Sequence, residues 1–140
     1  MTKTMLAVLA FGAAVVLAAP ASAETFKATL NGKSEVPPTT SPATGSADMN
    51  YNPATKKLTW TLTYSGLTGP ATAAHFHGPA EPGKNAGVAV AVPNATSSPV
   101  KGSATLTAAQ AADLEAGKYY LNVHTAKNPG GEIRGQVTKE

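Results

Sequence analysis

The three histidines of the sequence are its strongest candidates for chemistry. His75 and His77 flank Phe76, and alternate side chains of a β-strand point to the same face. Both imidazoles would therefore share one face at a Cα separation of roughly 6–7 Å. Imidazole nitrogen is a good ligand for zinc and for copper. The triplet predicts a metal site, which His124 completes if its strand lies beside that of the other two.

A polar surface is expected around His124, because the chain there reads as a hairpin. Parity places Asn122 and His124 on one face of the first strand, and Glu132 and Arg134 on one face of the second. Closing the turn brings His124 close to Glu132, and Asn122 close to Arg134. We therefore expect Glu132 to be a fourth metal ligand or a partner that orients His124. Asn122, Glu132 and Arg134 are also expected to form a structural polar network.

Two classes of function fit these residues. In the first, the protein binds copper or zinc through its three histidines. In the second, the same side chains form a hydrogen-bonded network that fixes loops in a binding or structural module. A metalloenzyme similar to superoxide dismutase is the least supported variant of the first class, since that enzyme's further zinc ligands and its disulfide are not evident. We expect a binding or structural module and not an enzyme, with no catalytic residue.

The elements that must position these residues follow from alternation of apolar and polar side chains. The predicted strands are 26–30, 47–51, 57–64, 71–77, 88–92, 100–106, 119–125 and 132–137. Residues 35–42 contain consecutive prolines and are expected to form a loop or an edge. The segment 107–116 is the one predicted helix after the leader, with Thr107 and Gln110 forming a capping box. About 7–9 strands with frequent turns predict an all-β fold, a sandwich first and an up-and-down barrel second.

The N-terminus has the order of a secretory signal. Lys3 precedes an apolar run from Met5 to Ala19, Pro20 ends the run, and Ala21-Ser22-Ala23 offers small residues for cleavage. We therefore expect residues 1–23 to be a signal peptide and residues 24–140 to be one domain. The protein would then be exported, either to the periplasm or outside the cell, with no membrane anchor after cleavage.

The amino-acid composition excludes some classes of partner and of metal site. The chain has no cysteine, so thiolate chemistry and thiolate metal sites are excluded. Its formal net charge is +3, and the basic residues are scattered rather than clustered. A protein that follows a phosphate backbone needs a basic patch, so nucleic acid is not expected as a partner. An extracytoplasmic ligand or protein is expected instead.

Three short runs resemble the hallmark motifs of the chordin (CHRD) domain. They are, in the family's order, Ala74-His75-Phe76-His77-Gly78, Tyr120-Leu121-Asn122-Val123-His124-Thr125 and Pro129-Gly130-Gly131-Glu132-Ile133-Arg134-Gly135-Gln136. The segment from Phe26 to Pro38 is similar to the opening of the domain, so the resemblance covers nearly all of the chain after the leader. It implies an immunoglobulin-like antiparallel β-sandwich, to which the capping signals at 107–116 add one short helix. It implies no ligand, because kinship in fold does not identify one.

Overall fold

Nine strands and one α-helix follow one another in a computed structural model of the chain, which describes residues 9–16 and 22–140. The strands are β1 (Glu24–Asn31), β2 (Thr44–Asn52), β3 (Lys57–Ser65), β4 (Ala71–His77), β5 (Val88–Val92), β6 (Val100–Thr105), β7 (Tyr120–Thr125), β8 (Ile133–Gln136) and β9 (Thr138–Lys139). The helix α1 spans Ala108–Glu115. A short 3-10 helix at Gly32–Ser34 precedes the irregular loop 35–42. The predicted strands and the predicted loop are thus confirmed.

The strands β2 and β3 form the hairpin that their alternation predicts. Asn52 pairs with Lys57 at its closed end, and the register continues without a shift to Thr44 opposite Ser65. Alternation buries every second side chain of β3, and Trp60 is only 3% exposed. This hairpin therefore supplies one wall of the core.

One antiparallel sheet joins all the strands in the described part of the chain. Its order is β5-β4-β7-β8-β1-β2-β3-β6, and β9 pairs with β1. Strand β8 connects the group β5-β4-β7 with the group β1-β2-β3-β6. It pairs with β7 over 133–136 and with β1 at Asn31 opposite Arg134. The all-β prediction is confirmed. The two layers of the expected sandwich are continuous through β8, and the sheet is nearly closed like a barrel.

The core lies between the two layers, and an aromatic pair marks its centre. Trp60 of β3 and Phe76 of β4 are both buried, with ring centroids 5.3 Å apart in a tilted arrangement. Gly102 of β6 makes room for the indole, since a Cβ there would lie 2.8 Å from its ring atoms. Because Phe76 faces the core, the side chains of its neighbours His75 and His77 must lie on the other face of β4.

The helix α1 is capped as its sequence predicts. Thr107 Oγ1 accepts a hydrogen bond from Gln110 N at 3.1 Å, and Gln110 Oε1 accepts one from Thr107 N at 2.9 Å. Gly117 follows the helix with a φ of 73°, a conformation that costs glycine little. Gln110 Nε2 also donates to the carbonyl of Ala89 at 3.0 Å. The helix is thereby attached to β5.

Most of the expected leader lies outside the described residues. Within residues 9–16 the structure assigns neither helix nor strand, and the apolar side chains are exposed, Phe11 by 96% and Val16 by 88%. The predicted cleavage site includes Ala21, which is outside the described ranges. Across the described residues, no helix combines the length and the apolar character that crossing a membrane requires.

Candidate functional site

The three histidines meet on the outer face of neighbouring strands β4 and β7. The antiparallel register sets His75 opposite Asn122 and Ala73 opposite His124. In an antiparallel pair, side chains on one face contact both their direct and their diagonal neighbours. Pairing of these two strands therefore gathers His75, His77, Asn122 and His124 on one face.

The rings converge closely enough to share an ion. His75 Nδ1 lies 3.0 Å from His124 Nε2, and one ligand atom of each of the three histidines lies within 4.8 Å of the others. His77 and His124 are each 9% exposed, whereas His75 is half-buried. The cluster is accessible from the side of His75.

Backbone carbonyls orient two of the rings. His77 Nδ1 donates to the carbonyl of Ala86 at 3.0 Å, and His124 Nδ1 donates to the carbonyl of Pro129 at 2.8 Å. A carbonyl can only accept, so each Nδ1 carries a proton, and in a neutral ring Nε2 then bears a lone pair. Metal-binding histidines are held in the same way by an acceptor on the far nitrogen. Two lone pairs are thereby directed into the cluster.

Asn122 lies between these two rings. Its side chain is 2% exposed, and its Oδ1 is 2.9 Å from both His77 Nε2 and His124 Nε2. The amide thus belongs to the histidine cluster as well as to the hairpin. Our sequence interpretation placed it only in a structural network.

Burial favours the neutral form of two of the histidines. It lowers the pKa of His75, and the neighbouring charges of His124 and His77 lower it further. Burial also lowers the pKa of His77, although its hydrogen bonds to Ala86 and Asn122 oppose this effect. Neutral imidazole is the form that binds a metal ion.

Arg134 fixes the loop that carries the Ala86 carbonyl. Its guanidinium lies 3.4 Å from the ring centre of Tyr120, and that ring is also stacked on His77 with centroids 4.8 Å apart. Arg134 donates to the carbonyl of Lys84 at 2.5 Å and to Asn85 Oδ1 at 2.9 Å. These contacts hold residues 84–86 against His77. The expected pairing of Arg134 opposite Asn122 is present in the register.

The expected position of Glu132 requires a correction, because its carboxylate does not contact the histidines. Glu132 precedes β8, and its oxygens accept hydrogen bonds from another set of groups. The donors are Ser41 Oγ, Thr68 N, Thr68 Oγ1, Thr125 Oγ1 and Asn128 Nδ2. Burial raises the pKa of this carboxyl, but these hydrogen bonds outweigh burial and lower it to about 2. Glu132 is therefore neither a fourth ligand nor the partner that orients His124, and the Pro129 carbonyl orients that ring instead.

Glu35 is a buried carboxyl beside the site that sequence reasoning missed. It is 5% exposed, and burial raises its pKa to about 7 against the opposing effects of Arg134 and Asn122. Glu35 Oε1 and Asn122 Nδ2 both face Gly131, where an added Cβ would collide with them. Glu35 lies in an irregular loop, so no periodicity indicated its burial. The available signal was its place in the segment from Phe26 to Pro38, which is similar to the opening of the CHRD domain.

A cavity of about 430 Å³ lies next to the cluster but contains none of the histidines. Residues 35–40 and 127–131 form its walls. It meets the site only at Glu35, at Gly131 and at the turn that carries the Pro129 carbonyl. The candidate site is thus a surface cluster on the sheet rather than an enclosed pocket.

Comparison with known proteins gives one match. The family model of the CHRD domain matches residues 26–137, a range that includes all three histidines, Asn122 and Glu35. No curated protein and no solved structure shows significant similarity to the chain. The resemblance seen in the sequence motifs is confirmed, and the chain belongs to the CHRD domain family.

Proposed function

We propose that this CHRD domain is an exported binding module that holds one copper or zinc ion through His75, His77 and His124. The observation that carries the proposal is the orientation of the rings. Two Nδ1–H groups are engaged by backbone carbonyls, so His77 Nε2 and His124 Nε2 carry lone pairs inside the cluster, where His124 Nε2 lies 3.0 Å from His75 Nδ1. Three neutral imidazoles form a donor set that zinc and copper both accept.

The second class of function shares these residues but explains their orientation less well. A purely structural network would be expected to pair donors with acceptors. Here Asn122 Oδ1 faces two ring nitrogens that bear lone pairs when the rings are neutral. An ion bound by the two Nε2 lone pairs would satisfy this arrangement.

We propose binding rather than catalysis. In the described part of the chain, the metal-ligand cluster comprises the three histidines without a carboxylate, and Glu132 is directed elsewhere. Glu35, the buried carboxyl beside Asn122, is not one of the ligand residues. Export of the protein is supported by residues 1–23, in which a positive charge, an apolar run and small residues follow one another as in a secretory signal. The exposed apolar side chains of residues 9–16 agree with a segment that does not pack on the domain.

Metal content of the purified protein tests the proposal. After exposure to Cu(II) or Zn(II) and removal of excess metal, we expect about one bound ion per chain by elemental analysis. His75→Ala should lose this ion, since two imidazoles alone hold it weakly. Asp48→Ala, which removes an exposed carboxylate on β2, is the matched control and should retain it. Absence of stoichiometric metal in the parent protein would favour the structural network.

A further inference from the structure

The outer face of the sheet around His75 carries short side chains. On β4, Ala73 lies two residues before His75 and stands opposite His124 in the register. On β5, Ala91 stands opposite His75 and is exposed. Directly opposed residues of an antiparallel pair have Cβ atoms about 4.5–5.5 Å apart, so a longer side chain at either position would reach the rings. The methyl groups of the two alanines leave the cluster uncovered on this side.

Other side chains close the cluster on its remaining sides. The side chain of Asn122 is 2% exposed and lies 2.9 Å from the Nε2 atoms of His77 and His124. The ring of Tyr120 is stacked on His77 with centroids 4.8 Å apart. His77 and His124 are each 9% exposed, whereas His75 is half-buried. Solvent therefore reaches an ion among the three rings from the side of His75.

The donor set leaves the charge of a bound ion largely uncompensated. The candidate ligands in the described part of the chain are three imidazoles, and a neutral imidazole carries no charge. The Glu132 carboxylate is directed at other donors. The carboxyl of Glu35 lies beside Asn122 and Gly131, and one negative charge there would not cancel the two of a divalent ion. Because a bound ion is often the largest local charge, the open side should attract anions.

Three protein ligands also leave a coordination position free. Zinc in proteins usually has four ligands, and where the protein supplies three, water or another small ligand takes the fourth position. Cu(II) bound by nitrogen and oxygen donors is commonly tetragonal, which requires at least four donors. The ligand cluster in the described ranges contains no carboxylate that could take this place. A ligand from outside the chain can therefore complete the coordination.

We infer that the metal site binds a small anion as a further ligand, beside His75, where Ala73 and Ala91 leave the cluster open. This inference rests on the proposed function, because it needs an ion among the histidines. It extends that function by naming the class of ligand, its place and the residues that admit it. The anion has to be small, since His75 is itself half-buried among its neighbours.

Titration of the Cu(II)-loaded protein with azide tests the inference. Azide bound to copper produces a charge-transfer absorption band and changes the electron paramagnetic resonance spectrum. The parent protein should show both changes, with one azide bound per copper. If the protein takes up zinc and not copper, Co(II) replaces zinc as the absorbing ion in the same titration.

A variant that closes the open side tests where the anion binds. Ala91→Glu places a carboxylate beside His75, and this tethered ligand should weaken azide binding by at least about tenfold. Ala54→Glu is the matched control, because it adds the same charge at an exposed position in the turn between β2 and β3. It should bind azide as the parent does. Thermal melts of the metal-free variants show whether each one folds.

The outcomes separate the two levels of the argument. A parent protein that takes up neither Cu(II) nor Zn(II) in stoichiometric amount overturns the proposed function and the inference with it. If the ion is bound but azide leaves the spectra unchanged, the three-histidine site stands and the open position is disproved. If Ala91→Glu binds azide as tightly as the parent, the placement beside His75 is wrong. The titration of the parent needs no variant, so it decides whether the site is open even if Ala91→Glu does not fold.

Discussion

His75 Nδ1 lies 3.0 Å from His124 Nε2, although 49 residues separate them in the chain. Their strands, β4 and β7, are neighbours in the sheet, and the rings meet diagonally across the pair. The two rings differ in their hydrogen bonds to the backbone. The His124 ring donates a hydrogen bond to the Pro129 carbonyl, whereas the described part of the chain provides no backbone acceptor for the half-buried ring of His75.

This difference predicts that replacing each histidine with alanine lowers the free energy of unfolding of the metal-free protein by unequal amounts. His77→Ala and His124→Ala should each lower the free energy of unfolding by about 1–3 kcal/mol, because each breaks a partly buried hydrogen bond and leaves a carbonyl without its donor. His75→Ala should cost less than about 1 kcal/mol. Urea denaturation in the presence of a chelator measures all three. Equal losses would show that the carbonyl contacts do not stabilise the rings.

Parity and pairing explain why much of the site could be predicted from the sequence. The alternation around Phe76 fixes the shared face of His75 and His77 in any strand. The turn length of the last hairpin fixes Asn122 opposite Arg134. The alternation of apolar and polar residues could not predict that β4 and β7 are neighbours in the sheet. Their pairing depends on the long-range order of the strands, and it was expected from the order of the family's motifs.

The alternation of apolar and polar residues could not predict contacts that lie outside the strands. Glu132 lies one residue before β8, after Gly131, so the parity of the strand does not determine where its side chain points. Glu35 is buried by the path of an irregular loop. The carbonyls of Ala86 and Pro129 belong to the backbone and leave no signature in residue type. Such contacts depend on tertiary packing, which local pattern does not encode.

The Glu132 carboxylate joins three loops, so its removal should destabilise the protein. Glu132→Gln keeps the size but loses the charge that five hydrogen bonds satisfy, and should cost about 2–4 kcal/mol at neutral pH. Since the folded pKa is lowered to about 2 from 4.5, its stabilisation is present above pH 4.5 and is lost as the pH falls toward 2. Denaturation series from pH 7 to pH 2 should show this acid loss in the parent and not in Glu132→Gln. Asp48→Asn, an exposed carboxylate, should behave like the parent, and a similar cost for both variants would contradict the prediction.

Trp60 is expected to be indispensable to the core. It is 3% exposed and packs against Phe76, and the chain has no disulfide to compensate for a cavity. Trp60→Ala should lower the free energy of unfolding by roughly 3–5 kcal/mol, a large part of the stability of a small domain. The midpoint of chemical denaturation measures the loss. A midpoint close to that of the parent would exclude a structural role for the indole.

Export predicts a defined N-terminus. If Ala21-Ser22-Ala23 is cleaved as its small residues indicate, the mature chain begins at Glu24. Intact-mass measurement of the exported protein should find this species. Detection of only the form that retains Met1 would disprove cleavage at this site.

Glu35 should make the parent protein less stable as the pH rises. Burial raises its folded pKa to about 7, above the value of 4.5 expected for the unfolded chain. Between these values the folded protein holds a proton that the unfolded chain releases, so unfolding becomes easier with increasing pH. The loss should be on the order of 1–3 kcal/mol, reduced by solvent near the loop. Below pH 4.5 both states are protonated and the effect is absent.

The variant Glu35→Gln isolates this effect, because it keeps the shape of the side chain and cannot ionise. The difference in unfolding free energy between Glu35→Gln and the parent should be constant below pH 4.5, and should then shift in favour of the variant up to about pH 7. Taking the difference cancels the histidines, which titrate in the same range in both proteins. Urea denaturation at intervals from pH 4 to pH 8, with a chelator present, supplies the values. Glu81→Gln, an exposed glutamate, should give a difference from the parent that does not vary with pH. A flat difference for Glu35→Gln as well would mean that the Glu35 carboxyl ionises in the folded protein as it does in the unfolded chain.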